Sequence, residues 1–557
     1  MARLIELEAE AAPAVGARRR GLVEALERHA VVVLVVLMAA GFALRAGGLG
    51  EVGLAEDEVN KLEAVRAYAA GDLTKNAEHP MLMKALVLVS VRAGEAWNAQ
   101  APPALRVTEE AWLRLPNVVF GTLTVLPVFL LASAFFGRAT GLLAAALWAT
   151  GVASVTYNRV AKEDTLLVFF MLSAFYFYVR AKQASGFDPG RKRLNYVLSG
   201  VSFGLMFASK YFPHYFGLNM LYHHFFKLRE RAPGEPRGNT PPAFYAVVLV
   251  SFLAANPALL LPETWAYLNA YSSEQLLTHH GYLMGATLYD NVVSKTPFGA
   301  TPVYFYLLFL LIKTPTPLLL ALAVGLLVCA RRWREPGPGF LLLMFLLWVV
   351  PYSLVGAKWL RYTLSLMPFV YMLAAVGTVW TARAALRLLR ADGGERTALG
   401  AAAAASVVFV FAGLPACAAL RAGPHYALYT NALAAGRAGY YFPHDELYDD
   451  GLREALGHVA RVAPAGAIVA HETPAVARHY LARFGRPDLR PEVISDPSFD
   501  VTRAPSPLYV VLQRGRTYFE NRDELRAVRS GPDFTLEREI FVGGVSAAEV
   551  YARSPRP

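Results

Sequence analysis

The chain reads as an all-α polytopic membrane protein with about eleven transmembrane helices and a small C-terminal α/β domain outside the membrane. Three observations predict this. Of its 557 residues, 55% are hydrophobic and only 17% are charged, against about a quarter charged in soluble proteins, which excludes an ordinary soluble enzyme. The apolar residues gather into runs near the length that crosses the hydrocarbon as a helix. Beyond residue 421 the pattern changes to short apolar strands alternating with helical segments, as in a small α/β domain in water.

Residues 1–28 read as a cytoplasmic N-terminal segment. Arg18, Arg19 and Arg20 precede an apolar run from about Ala30 to Leu44, and no small-residue cleavage site follows, so the helix is expected to be retained. Residues 29–420 read as the membrane core. Its candidate crossings are 29–46, 114–136, 140–157, 165–181, 194–209, 211–227, 242–261, 303–329, 340–356, 360–380 and 398–419. Alternation places Arg191-Lys192-Arg193, Arg229, Arg331-Arg332 and Arg383 on the cytoplasmic side, as the positive-inside rule requires. The 54 Lys+Arg exceed the 43 Asp+Glu, but they lie in these short loops and not on one amphipathic face, so nucleic acid is not the expected partner. Cys329 and Cys417 fall near opposite membrane faces and are not expected to pair.

The outer side receives a first loop at 47–113, a turn from Asn158 to Asp164, a loop at 262–302 and the tail 421–557. In the first loop, 58–70 and 81–97 have helical patterning too short to cross and suit helices lying in the interface, apolar side down. In the tail, strands are expected at 467–470, 508–512 and 540–542, with helices at 473–484 and 518–529.

Ionisable residues collect on this outer side. Glu56-Asp57-Glu58 follows the first apolar run, and two carboxylates at a wet interface suit a general base toward an acceptor hydroxyl or amine. They equally suit the acidic first turn of a helix. Glu78-His79-Pro80 with Lys84 opens the next helical pattern. The turn Arg159 to Asp164 packs four ionisable groups between apolar segments, either as a solvated turn capped by Asp164 or as a second acidic station beside a phosphate-binding arginine. Lys210, Lys313, Lys358 and Arg361 stand at outer helix ends, where positive charge is normally sparse and its recurrence asks for an anionic ligand such as a lipid-linked phosphate. The tail cluster His444, Asp445, Glu446, Asp449 and Asp450 matches neither a zinc nor a calcium-loop spacing.

The order of these features resembles the integral-membrane glycosyltransferases of the GT-C fold, of the protein O-mannosyltransferase and lipid A aminoarabinose transferase type. The matching pieces are Asp57-Glu58, His79-Pro80 with Lys84, Arg114-Leu115-Pro116 with Gly121, Arg159 with Asp164, Ser209-Lys210-Tyr211, Lys313-Thr314-Pro315, and Lys358 with Arg361-Tyr362, over about residues 29–380. The resemblance implies transfer of one hexosyl or pentosyl unit from a polyprenyl-phosphate sugar to a protein, lipid or glycan acceptor at the outer face, through an oxocarbenium-like centre. It implies Asp57 as base, with Glu58 and Asp164 in the catalytic group. Arg159, Lys210, Lys313 and Arg361 would hold the donor phosphate, and His79, Lys84, Glu163 and Lys358 the substrate. The triplet leaves open which carboxylate acts, and Glu163-Asp164 does the same.

No Trp-Trp-Asp triplet is present, which argues against the oligosaccharyltransferase branch. Outer carboxylates leave room for a divalent cation, but no ligand set stands out, so no cofactor is assigned. The expected site of action is a bacterial inner membrane, N-terminus inside and C-terminal domain outside. A transporter or flippase of a lipid-linked sugar is the competing class. It would place ionisable groups near the midplane of the bilayer, whereas here they crowd one boundary.

Overall fold

The computed structural model describes residues 29–236, 239–272, 280–292, 295, 299–388 and 394–553. The expected N-terminal segment 1–28 lies outside the described residues. Five helical stretches are long and apolar enough to cross a membrane: Pro103–Phe136, Asp164–Gln183, Pro336–Leu354, Met367–Leu388 and Ala398–Ala422. A sixth arises if Arg138–Thr150 and Val152–Asn158, bent by 54°, count as one span. Three further apolar helices, Ala30–Ala46, Pro242–Ala255 and Thr316–Arg331, are shorter.

The expected eleven crossings thus joined segments that the backbone breaks. The run 303–329 divides into Phe305–Lys313 and Thr316–Arg331 around Pro315, where the ring removes a helical donor and disfavours the α conformation of the preceding residue. The run 140–157 bends at Gly151, whose backbone lies so close to the Tyr371 side chain that a Cβ would overlap it. The run 211–227 keeps only His214–Phe225 helical.

The helices share a core dominated by large side chains, among them the fully buried Trp148, Trp348, Tyr178 and Tyr371. A second core does something the sequence did not foretell. The apolar side of helix Glu56–Ala69 (Val59, Leu62, Val65) was expected to lie against lipid. It packs instead with Leu456, Val459, Val476 and Tyr480 of the C-terminal region. Apolar area is removed from water by either arrangement, but this one fixes the first loop to the tail.

A hairpin is formed by β1 (Tyr282–Met284) and β2 (Thr287–Tyr289). The C-terminal sheet contains β3 (Ile468–His471), β4 (Arg490–Val493), β5 (Leu508–Gln513), β6 (Phe534–Val542) and β7 (Val545–Arg553), in the order β4-β3-β5-β7-β6. Pairs β3–β4 and β3–β5 are parallel, and β5–β7 and β6–β7 are antiparallel. Two-residue alternation splits the sheet into two faces. Val511 and Val550 meet helices Leu452–Val462 and Pro474–Arg483, while Val510, Leu512 and Tyr551 meet Leu525 and Val528 of helix Arg522–Ser530. The three strands expected from the sequence are present; β4 and β7 were missed.

Candidate active site

Helix Glu56–Ala69 begins at the acidic triplet, and each carboxylate has a different fate. Glu58 is fully buried and forms a fork with Arg114, at 2.8 Å from Nε and 2.6 Å from Nη2. It also accepts from the Ala55 and Ala161 amides at 3.1 and 2.9 Å. Both oxygens are used in tying the first loop to the turn at 159–163, so Glu58 holds geometry and is not open to an acceptor. Removing one partner of such a pair strands a buried charge, which costs about 3–5 kcal/mol. Arg114→Met is therefore expected to lower the unfolding midpoint sharply in a thermal melt of the purified protein, while the double variant with Glu58→Met recovers part of the loss.

Glu56 turns the other way, to Arg516 of the C-terminal region at 2.9 Å, and its amide donates to Asp449 at 3.0 Å. Asp57, between them, is about a third exposed at its side chain (32%) and so keeps access to solvent. Its Oδ2 accepts from Lys162 at 2.6 Å and from the Tyr448 hydroxyl at 2.6 Å, with Arg361 at 3.6 Å. Burial pushes the Asp57 carboxyl up, but Lys162, Arg361 and Lys61 outweigh it and hold the group well below the ordinary carboxylate range.

Asp164, at the start of helix Asp164–Gln183, pairs with Lys210 at 2.7 Å. Lys210 also lies over the rings of Phe212 and Tyr362, 4.5 Å from each centroid, which suits a desolvated cation. The second Asp164 oxygen is buried and finds no hydrogen-bond partner among the described residues. Glu163 pairs with Lys61 at 2.8 Å, both groups 1% exposed, and His79 stands 3.9 Å away. Burial, aided by Lys61 and Lys162 and opposed by Glu163, pushes His79 well below its usual range, so it is neutral at pH 7.

Beside these groups lies a cavity of about 40 Å³ lined by Tyr157, Lys162, Asp164, Arg361, Asp445 and Tyr448, among others. A neighbouring cavity of about 70 Å³ shares Thr156, Val160, Ala427 and Tyr448 with it, so the Tyr448 ring belongs to their common wall. Tyr448 is supplied by the C-terminal region. It and Asp449 adopt left-handed backbone conformations, φ +44° and +65°, which are uncommon for side-chain-bearing residues and mark functional constraint. Arg516 and Gln513, bonded to Asp449, hold that bend.

The remaining expected site residues are engaged within the protein. Arg159 borders the second cavity, but its guanidinium donates to the carbonyls of Arg45 at 2.8 Å, in the last turn of the first helix, and Gly48 at 3.0 Å, just past it, and stacks on Tyr426. Lys313 pairs with the buried Glu446 and donates to the Ala427 and Tyr429 carbonyls, both at 2.9 Å. Lys84 donates to the His79 carbonyl at 2.8 Å, and Lys358 to Thr301 at 2.8 Å, each side chain almost fully buried. Of the cations expected to hold a donor phosphate, Arg361 lines the 40 Å³ cavity and Lys210 pairs with Asp164 of its lining, whereas Arg159 borders the second cavity and Lys313 pairs with Glu446 there. Among the described residues, no group of three or more His, Cys, Asp or Glu is placed to hold a metal ion.

Sequence reasoning missed Lys61, Lys162 as partner of Asp57, and Tyr448. Lys61 had a signal: it sits four residues after Asp57, on the same helical face. Tyr448 had none, because its chain neighbours belong to a region with no resemblance to lean on.

The helices long and apolar enough to cross a membrane and the acid–cation pairs beside the cavity can be set against known proteins. Residues 95–261 match the family model described as dolichyl-phosphate-mannose-protein mannosyltransferase, and residues 284–420 that of the Alg9-like mannosyltransferase family. The resemblance to integral-membrane glycosyltransferases is borne out by these two matches. Among solved structures, ArnT from Cupriavidus metallidurans bound to undecaprenyl phosphate is 14% identical, with 95% of this chain and 99% of that chain covered and a TM-score of 0.49. The oligosaccharyltransferase AglB from Archaeoglobus fulgidus, in complex with an inhibitory peptide and a dolichol-phosphate, is 12% identical, covering 84% and 64%, with a TM-score of 0.47. A search of curated protein sequences gives no match.

Proposed function

We propose that the protein is a polyprenyl-phosphate-sugar-dependent glycosyltransferase that moves a single sugar to an acceptor at the outer membrane face. One observation carries the reading. Lys162, Asp164 and Arg361 line one cavity, and Asp57 and Lys210 are each paired with residues of that lining, Asp57 with Lys162 and Arg361 and Lys210 with Asp164. The match to a family named for dolichyl-phosphate-mannose supports a lipid-phosphate donor. In this reading residues 47–113, 262–302 and 421–557 face the outside of a bacterial inner membrane.

The chemistry follows from the placement. The acceptor oxygen attacks C1 of the sugar, its proton passes to the free oxygen of Asp57, and the C1–O bond to the lipid phosphate breaks with the electron pair leaving on phosphate. Arg361 and Lys210 neutralise that charge in a partly dry site, where fixed cations act strongly. Asp164, with one unpartnered oxygen, accepts from a sugar or acceptor hydroxyl. Since each cation is already paired with a carboxylate, the incoming phosphate competes for it, and its binding loosens the grip on Asp57.

Incubation of the purified full chain in lipid nanodiscs with polyprenyl-phosphate mannose or arabinose and membrane-extract acceptors tests the reading. Release of polyprenyl phosphate with labelling of an acceptor is expected; intact donor in both cases would contradict it. A pH profile adds a second check. Burial, with Lys61 and Arg361, lowers Lys162 to about 8 in spite of Asp57, whereas Asp57 stays ionised well below the usual carboxylate range. Catalytic efficiency is expected to hold through mildly acidic pH and to fall as pH rises past about 8, when Lys162 loses its proton. Lys162→Arg should move that alkaline limb upward.

A further inference from the structure

Away from the catalytic cavity, a groove of about 380 Å³ opens between the β1–β2 hairpin and the C-terminal sheet. Its volume lies within the range of small-molecule sites, about 300–1,000 Å³. Three chain segments build it, and they are fixed to one another. The hairpin-tip amide of Gly285 donates to the Tyr440 carbonyl at 3.0 Å, and the Phe519 amide to the His280 carbonyl at 3.0 Å. His280 Nδ1 meets Glu520 at 2.9 Å. Gly285 has φ +63°, and a Cβ there would lie 3.5 Å from the Tyr440 ring, so the hairpin tip rests on that ring.

The lining is mixed in charge and rich in donors and acceptors: Tyr440, Arg514, Arg529, Glu539, Ser546 and Glu549. Glu539 and Glu549 stand directly opposite each other on β6 and β7. Like charges in that position destabilise a sheet, and Arg529 answers only Glu549, at 2.9 Å. The side chains of Arg514 and Glu539 make no ion pair or hydrogen bond among the described residues. An unpaired guanidinium and an unpaired carboxylate in the lining of one groove, together with a hydroxyl and an aromatic ring, match the vicinal hydroxyls and apolar ring face of a sugar. They suit a ligand of one charge sign poorly.

One short segment borders both the groove and the catalytic cavity. Pro443 lines the groove, and Asp445, two residues on, lines the cavity. Tyr282 of β1, next to Leu283 of the groove, donates its hydroxyl to Asp445, which ties the hairpin to the cavity lining. We propose that this groove binds a neutral, hydroxyl-rich glycan and holds the body of the acceptor while its reacting hydroxyl reaches Asp57. The proposal rests on the glycosyltransferase reading for the word acceptor, and on the groove alone for glycan binding.

Saturation-transfer NMR of the full chain in nanodiscs tests it, with mannotriose, arabinotriose and a serine- and threonine-rich peptide as probes at millimolar concentration. Transfer to at least one trisaccharide is expected. Arg514→Gln and Glu539→Gln should each weaken it about tenfold, the scale of one lost charge-assisted hydrogen bond. No transfer to either trisaccharide, transfer unchanged in both groove variants, or transfer to the peptide alone would overturn the proposal. Donor cleavage by the wild type is read separately. A protein that binds the trisaccharide through Arg514 and Glu539 yet cleaves no donor sinks the transferase reading and leaves the groove standing.

Discussion

Asp57→Asn is expected to lower kcat for sugar transfer by about 10²–10⁴-fold, the contribution of a positioned general base. The amide keeps the size of the side chain and can still accept from Tyr448, so the fold of the first loop is retained. It no longer neutralises Lys162 at 2.6 Å or Arg361 at 3.6 Å. Those cations become free for the lipid phosphate, and the donor should bind as tightly as in the wild type or more so. A collapse of kcat with undiminished donor affinity separates loss of the base from loss of the fold. Glu58→Gln gives the contrast: its carboxylate is committed to Arg114 and two amides, so a defect there should appear in the melting temperature.

Arg361→Met carries the second large effect. Arg361 lies beside Asp57, lines the cavity with Asp164, and stacks against the rings of Trp359 and Tyr362 at 5.3 and 5.6 Å. Those rings orient the guanidinium without consuming its donors, as a phosphate-binding arginine requires. Losing one such fixed donor at the leaving group is expected to cost about 10²–10³-fold in kcat/KM. Arg361→Lys should recover part of it, since a point charge remains but the two-pronged geometry is gone. Measured with the same donor, Arg159→Met is expected to act mainly on stability, because that guanidinium is bonded to backbone carbonyls in the last turn of the first helix and just past it.

Much of this arrangement was legible from residue type and membrane side. Asp57, Asp164, Lys210 and Arg361 stand out because ionised groups are costly near hydrocarbon and recur at one boundary. What the sequence does not carry is which cations are already occupied. Arg159, Lys84, Lys313 and Lys358 look like Lys210 in one dimension, yet each of the four donates to backbone carbonyls in the folded chain, whereas the Lys210 ammonium meets Asp164. Helix breaks at Pro315 and Gly151 were visible as residues, but a length rule summed over them. The docking of helix Glu56–Ala69 onto the C-terminal region, and with it Tyr448 on Asp57, depends on contacts almost four hundred positions apart, beyond the reach of periodicity.

In the proposed function, distant ionised side chains form one centre that receives a lipid-borne phosphate. A structure of the full chain with a polyprenyl-phosphate bound measures this most directly. The phosphate oxygens should lie within about 4 Å of Arg361 and Lys210, the distance of an ion pair, with the lipid chain leading toward the apolar helices. A phosphate seated on another cation cluster, with the Lys210–Asp164 and Arg361–Asp57 pairs undisturbed, would contradict it.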